Sequence, residues 1–163
     1  MVLTVSVTCH ERAIAMTFNV QGVHHFGITV RDMKRSFDWY TKMFGLQPGP
    51  VNHGVGKELS DAVQVEGTEL SFSMIDIGGT RIEFLEYHNP RGKDFDLKNG
   101  DVGATHICLQ IDDMDVAYST LLERGAVFNA PPVTLTDGEL AGSRWAYLRD
   151  PDGIQLEIWA SPK

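Results

Sequence analysis

The sequence is poor in the features that mark several large classes of protein. Its two cysteines, Cys9 and Cys108, are too few for a disulfide framework and have no CxxC spacing, so a cytoplasmic location is expected. It has no long apolar run, which excludes a transmembrane helix. Its 14 Lys and Arg are outnumbered by 22 Asp and Glu, giving a net charge of -8. Nucleic acid and anionic membrane are therefore disfavoured as partners, because phosphate binding needs clustered Lys and Arg.

The first residues, MVLTVSVTCHERAIA, lack both a basic start and an uninterrupted apolar stretch, so they do not predict a signal peptide. Apolar and hydroxyl residues alternate from Leu3 to Cys9, which is compatible with an edge strand and equally with disorder. We treat residues 1–19 as an N-terminal arm. The chain has 163 residues, of which 42% are hydrophobic, and this is enough for one domain or two tightly packed half-domains.

The most specific feature that is present is an internal repeat. The stretch HHFGITVRDMKRSFDWY matches THICLQIDDMDVAYSTL, and GGTRIEFLEY matches DGIQLEIWA. The matches pair a histidine with a histidine and a glutamate with a glutamate: His25 with His106, and Glu83 with Glu157. We therefore predict a single domain over residues 20–160, made of module 1 (20–88), a connection (89–103) and module 2 (104–160).

Each module is predicted to run strand, helix, then strands. In module 1, Asp32 is a plausible helix N-cap, apolar residues follow at helical spacing, and Gly45 ends the helix; Asp113 and Gly125 do the same in module 2. Later strands are predicted over 70–77, 81–87, 143–148 and 154–159. Glycine-rich and Asp-Pro-Asp-Gly turns separate the members of each pair of strands.

The alternation of side chains along the strands predicts which residues share one face of the sheet and can form a site. The amphipathic helix of each module must cover the apolar face of its strands, here the face of Phe26, Ile28 and Val30. His25 and His106 then lie on the opposite face, and the same alternation places Glu83 and Glu157 there. If the two modules close around a pseudo-two-fold axis, the four side chains converge. Two imidazoles and two carboxylates suit one divalent ion such as Ni, Co, Zn, Mn or Fe.

Other candidates carry weaker arguments. His24 is expected on the packing face, and His10, His53 and His88 have no counterpart in the repeat, so we interpret them as arm, loop or surface residues. Arg81 and Gln155 occupy matching positions and are candidates for substrate binding or an outer role. Trp145 and Tyr147 share one face of a late strand, for which core packing is the favoured role and lining of the pocket the alternative. Cys108 is interpreted as a small residue that lines the site.

The segments VHHFGITVRDMKRSFDWYTKMFGL, THICLQIDDMDVAYSTLLERGA, RIEFLEY and RDPDGIQLEIW resemble the vicinal oxygen chelate superfamily, which includes glyoxalases, bleomycin resistance proteins and extradiol dioxygenases. The resemblance covers residues 20–160. It implies an α+β fold whose paired βαβββ modules form a cup-shaped, eight-stranded mixed sheet with the helices packed outside. It also implies metal ligands on the first and last strands of each module, which are again His25, Glu83, His106 and Glu157.

Three activities are compatible with this resemblance. The first is a lyase or isomerase similar to glyoxalase I or methylmalonyl-CoA epimerase, in which a metal ion assists proton transfer next to a carbonyl and Glu83 or Glu157 is the base. IEFLEY is similar to the IELLEP of the epimerases and favours it. The second is an Fe(II) extradiol-type dioxygenase, for which Glu83 would be surplus. The third is a metal-free protein that binds and sequesters a drug. The first is our prediction, with a small-molecule substrate and a homodimer; the substrate and the metal are left open.

Overall fold

The computed structural model of the protein describes residues 18–162. The predicted N-terminal arm therefore lies almost wholly outside the described residues. None of the helices in the described part of the chain has the length and apolar character that crossing a membrane requires.

Module 1 contains four strands and two helices. In chain order they are β1 (Phe26–Thr29), α1 (Met33–Phe44), β2 (Asn52–Val55), α2 (Lys57–Val63), β3 (Glu69–Ile77) and β4 (Thr80–Asn89). The strands form a mixed sheet in the order β1-β4-β3-β2, in which β1 runs parallel to β4 and the other pairs are antiparallel.

Module 2 repeats this plan with one helix. Its elements are β5 (His106–Gln110), α3 (Met114–Glu123), β6 (Val127–Phe128), β7 (Val133–Thr134), β8 (Arg144–Arg149) and β9 (Gln155–Ala160). The sheet order is β5-β9-β8-β6, β7 also pairs with β8, and β5 runs parallel to β9. The α+β class and the paired modules are confirmed. The continuous eight-stranded cup stays a prediction, because these strands form one sheet of four and one of five.

Helix boundaries follow the sequence signals closely. The Asp32 carboxylate accepts a hydrogen bond from the backbone N–H of Arg35, which satisfies one of the free donors at the start of α1. At the other end Gly45 adopts φ 71°, a left-handed conformation that glycine tolerates best, and its N–H bonds to the carbonyl of Thr41. Asp113 caps α3 through the N–H groups of Asp115 and Val116.

The helices cover one face of each sheet and leave the other for the site. Tyr40 of α1 is fully buried, with its ring 5.0 Å from that of Phe84 on β4. Ile82, Leu156 and Ile158 are also fully buried, each stabilising the fold by roughly 1.5–3 kcal/mol. Ile28 and Val30 are buried as predicted, but Phe26 is nearly half exposed, because it lies at the beginning of its strand.

The turn between β8 and β9 joins the two modules. The Tyr40 hydroxyl lies 3.4 Å from the Asp150 carboxylate, which also accepts the N–H groups of Asp152 and Ile154 at 2.9 and 2.8 Å. Burial raises the pKa of Asp150 to about 6. Asp152 accepts a hydrogen bond from the backbone N–H of Arg31 at 3.1 Å and pairs with the guanidinium of Arg35. A module 2 turn is thus anchored on module 1.

Candidate active site

Module 1 brings His25 and Glu83 together on the face away from α1. Gly27 is the strand partner of Glu83, and His25 lies two residues before Gly27, so alternation puts both side chains on one face. Nε2 of His25 is 3.3 Å from Oε2 of Glu83. The other ring nitrogen of His25, Nδ1, lies 2.8 Å from Nδ1 of His24.

Module 2 builds the equivalent pair. Nε2 of His106 is 3.1 Å from Oε2 of Glu157. Cys108 is the strand partner of Glu157 on β5, and Tyr147 is its partner on β8. The Tyr147 hydroxyl lies 3.3 Å from Nε2 of His106.

The neighbours of Glu157 are held in their neutral forms. Burial, followed by the charge of Glu157, raises the pKa of the Cys108 thiol to about 12. The same two causes, in the same order, raise the pKa of Tyr147. Both residues are strand partners of Glu157, so this carboxylate has a neutral thiol and a neutral hydroxyl beside it.

The two pairs do not merge within one chain. Among residues 18–162 there is no group of three or more His, Cys, Asp or Glu side chains disposed to hold a metal ion. The side chains of His25 and His106 are 35% and 43% exposed, so each pair lies on an open face.

Each pair nevertheless fits half of a metal centre. Ligands bonded at about 2.1 Å to one ion lie about 3.0 Å apart at adjacent octahedral positions and about 3.4 Å apart in a tetrahedron. The measured separations of 3.3 and 3.1 Å fall in this range. The imidazole and carboxylate donors also suit a divalent ion.

Several predicted neighbours occupy positions that differ from expectation. His24 does not pack under the helix; it is exposed and contacts both His25 and the guanidinium of Arg81. It can therefore orient the His25 ring. Gln155 is buried and accepts a hydrogen bond from Asn129 at 2.9 Å, which fits the supporting role and not direct contact with substrate. Tyr147 lies against His106, with ring centroids 5.1 Å apart, so the expectation of core packing for it was wrong.

A second polar cluster was missed. His53 is in β2 rather than in a loop, and its Nδ1 lies 2.9 Å from the hydroxyl of buried Ser71. Nε2 of His88 reaches the same hydroxyl at 2.7 Å. Glu86 lies 3.7 Å from His88 and accepts the backbone N–H of Met33 at 2.9 Å. The cluster satisfies a buried hydroxyl and the start of α1; His10, by contrast, lies outside the described residues.

Comparison with known proteins identifies the family. A family model of the Glyoxalase/Bleomycin resistance protein/Dioxygenase superfamily matches residues 22–158. The chain belongs to this superfamily.

Curated relatives are epimerases and a lyase. The 2-epi-5-epi-valiolone epimerase of an Actinomyces species is 30% identical over 141 residues, which cover 83% of this chain and 77% of the relative. Human mitochondrial methylmalonyl-CoA epimerase is 24% identical, covering 70% of this chain and 60% of the relative. Lactoylglutathione lyase of Schizosaccharomyces pombe is 24% identical, covering 83% of this chain and 46% of the relative. The alignments with the last two span less than two thirds of those proteins.

Solved structures agree on the fold. A glyoxalase family protein from Bacillus cereus superposes with a TM-score of 0.72 at 18% identity, covering 93% of this chain and all of that one. At this identity the likeness concerns the fold alone.

Proposed function

We propose that the protein is a metal-dependent isomerase or lyase that moves a proton at a carbon next to a carbonyl group. The observation that carries this proposal is the repeated His–Glu pair, present at ligand spacing on the same face of both modules. The relatives named as epimerases and as a lyase support the same class of reaction.

His25, Glu83, His106 and Glu157 are the residues that would hold one divalent ion. When bound, that ion polarises the oxygens of a carbonyl substrate as a Lewis acid. The chain itself supplies the proton acceptor, which we assign to a glutamate carboxylate, because a carboxylate that held the ion through one oxygen would keep its other oxygen free, whereas a neutral imidazole has a single acceptor nitrogen. His24 orients His25 through the ring nitrogen that faces away from Glu83, and the Tyr147 ring packs edge-on against the ring of His106.

Deuterium exchange tests the reaction class directly. The protein, reconstituted in turn with Ni, Co, Zn, Mn and Fe, is incubated in D₂O with 2-epi-5-epi-valiolone, methylmalonyl-CoA or lactoylglutathione. Proton NMR then follows the signal at the carbon beside the carbonyl. We expect loss of that signal with at least one ion, and 2-epi-5-epi-valiolone is the first probe because its epimerase is 30% identical. Absence of exchange in every combination, or oxygen consumption with Fe(II), would contradict the proposal.

We also propose that module 1 of one copy and module 2 of a second copy form the complete site in a homodimer. The pairs do not meet within one chain, and both histidines lie on open faces. Each face has two donors, and a closed dimer of identical chains supplies the missing two on both sides.

Mixing two inactive variants distinguishes this arrangement from a site within one chain. In a mixed dimer of H25A and H106A, one of the two sites keeps all four ligands. Random pairing puts half of the chains in mixed dimers, so metal content should recover to about a quarter of the wild-type value. Each variant alone is the control, with metal content near zero. Absence of recovery in a mixture shown to contain heterodimers would place the site within one chain.

A further inference from the structure

A cavity of about 580 Å³ lies where the parallel strands β1 and β4 end. Its walls come from the end of β1, the first turn of α1, Tyr87 of β4, residues 92–97 of the connection, and the anchored turn of module 2. The volume is within the range of small-molecule sites, roughly 300–1,000 Å³.

The cavity lies at one end of the face that bears the His25–Glu83 pair. Thr29 has the same strand parity as Gly27, and Tyr87 has the same parity as Glu83. Tyr87 lies four residue steps along the strand from Glu83, which is about 13 Å. One molecule of moderate length can therefore contact both the pair and the cavity.

The charged side chains around the cavity form ion pairs that differ in how deeply they are buried. Arg35 pairs with Asp152, a largely buried carboxylate that also accepts the Arg31 backbone N–H. The Arg31 side chain is 31% exposed and pairs with Asp94, whose side chain is 89% exposed. An ion pair with such an exposed carboxylate contributes little stability, so another anion can displace Asp94.

The remaining charges of the cavity are exposed and belong to the connection. Lys93 has no ionic partner within residues 18–162, and Asp96 is exposed on the same segment. The guanidinium of Arg31 also donates to the carbonyl of Gly92 at 3.0 Å, which fixes this segment over the cavity. The Arg31 guanidinium thus already binds one carboxylate of the protein itself, that of Asp94.

We propose that Arg31, assisted by Lys93, binds an anionic oxygen group of the substrate, a carboxylate or a phosphate, and that Asp94 occupies this position in the free protein. Guanidinium groups bind both anions through paired hydrogen bonds. This inference rests on the proposed function for the position of the reacting carbon. It adds that the substrate carries an anionic group roughly 13 Å from the Glu83 end of the face.

Anion binding can be measured without substrate or metal. Inorganic phosphate or acetate is titrated into ¹⁵N-labelled protein at constant ionic strength, and the amide signals of Gly92, Asp94 and Phe95 are followed. The variants are R31M and D94N. The exposed pair Lys34–Asp38 lies outside the cavity, so K34M and D38N change the net charge equally and serve as matched controls.

We expect saturable shifts in the wild type. D94N should bind about two- to five-fold tighter, because the competing carboxylate is gone. R31M should bind about ten-fold or more weakly, because a charged donor is lost. K34M and D38N should match the wild type. Tighter binding of phosphate than of acetate indicates a phosphate ester, and the reverse indicates a carboxylate.

Two results would overturn the inference: amides of the connection that do not respond to either anion, or a D94N protein that binds no more tightly than D38N. The second test remains informative even if R31M does not fold. Neither result bears on deuterium exchange, so the anion site and the proposed reaction can fail separately.

Discussion

The two modules present the same pair of side chains in different surroundings. In module 1, Glu83 has Gly27 and Met74 as its strand partners, and it forms an ion pair with His25. In module 2, Glu157 lies between its strand partners Cys108 and Tyr147, whose pKa values are raised by burial and by its charge. Glu83 thus has a glycine and an apolar side chain beside it, whereas Glu157 has two polar side chains.

This difference indicates that the duplicated module has specialised. A carboxylate flanked by two neutral polar side chains is suited to hold an ion in a constant position. A carboxylate beside a glycine has space around it, since a methyl group at Gly27 would still lie 3.7 Å from Glu83 Oε2. We therefore propose that Glu157 serves mainly to hold the ion together with the two histidines, and that Glu83 is the proton acceptor.

The largest expected effect is on metal binding. H25A or H106A should reduce the metal content to near zero, because each removes one of two donors on its face. The free energy of unfolding of the metal-free protein should change by no more than about 0.5 kcal/mol, since both side chains are partly exposed. Elemental analysis and urea denaturation measure the two quantities. H53A, which removes a histidine outside the pairs, is the control; full metal occupancy in H25A or H106A would show that the assignment of that histidine is wrong.

Exchanging each glutamate for glutamine tests the division of roles. E83Q should retain part of its metal and lower the rate of deuterium exchange by about 10²–10⁴-fold, because the proton acceptor is lost. E157Q should lose metal affinity first, and added metal should restore part of its exchange rate. Exchange rates and metal content are measured together. The opposite pattern, with metal retained but exchange lost in E157Q, would make Glu157 the base.

Asp150 has an exposed counterpart in module 1, Asp76, and only Asp150 is buried. Because its pKa is raised from 3.8 to about 6, the folded state binds a proton more tightly than the unfolded state. The stability that this proton provides is present below the unfolded value and is lost as pH rises through about 6.

Replacing Asp150 by Asn should remove this pH dependence while keeping an oxygen acceptor for the N–H groups of Asp152 and Ile154. Relative to the wild type, D150N should gain roughly 2.5 kcal/mol between about pH 4 and about pH 8. Urea denaturation at both pH values measures the difference. D76N is the matched control and should show no such gain; equal behaviour of the two variants would contradict the burial argument.

The smallest effects concern the helix caps. Asp113 accepts two backbone N–H groups at the start of α3, whereas Asp32 accepts one and Glu86 accepts another at the start of α1. D113A should therefore cost about 1–2 kcal/mol and D32A about 0.5–1 kcal/mol. Thermal denaturation compares them, and an equal or larger loss in D32A would show that Glu86 does not share the capping.

The sequence predicted the features that local chemistry determines. Caps at Asp32 and Asp113, the glycine end of α1 and the face shared by each His and Glu follow from spacing alone. The short helix α2 was missed because none of its residues is buried, so it has no apolar stripe to detect. The two-residue strands β6 and β7 are too short to show alternation.

Contacts between distant segments could not be predicted in the same way. Tyr147 is a typical core residue in its local sequence, and only the pairing of β8 with β9 places it beside Glu157. His53 and His88 meet at Ser71 because three strands align there, an arrangement without a counterpart in the repeat. Whether the two His–Glu pairs share one ion depends on assembly, which a single sequence does not encode in any local pattern.

The turn that carries Asp150 and Asp152 belongs to module 2 by sequence and to module 1 by contact. Its contacts with Tyr40, Arg31 and Arg35 tie the start of β9 to module 1. Because β9 begins directly after this turn and carries Glu157, a change at Tyr40 or Arg35 would tilt the strand that carries a proposed ligand. Substitutions at Tyr40 or Arg35 of α1 should therefore change the geometry of the site although neither residue contacts it.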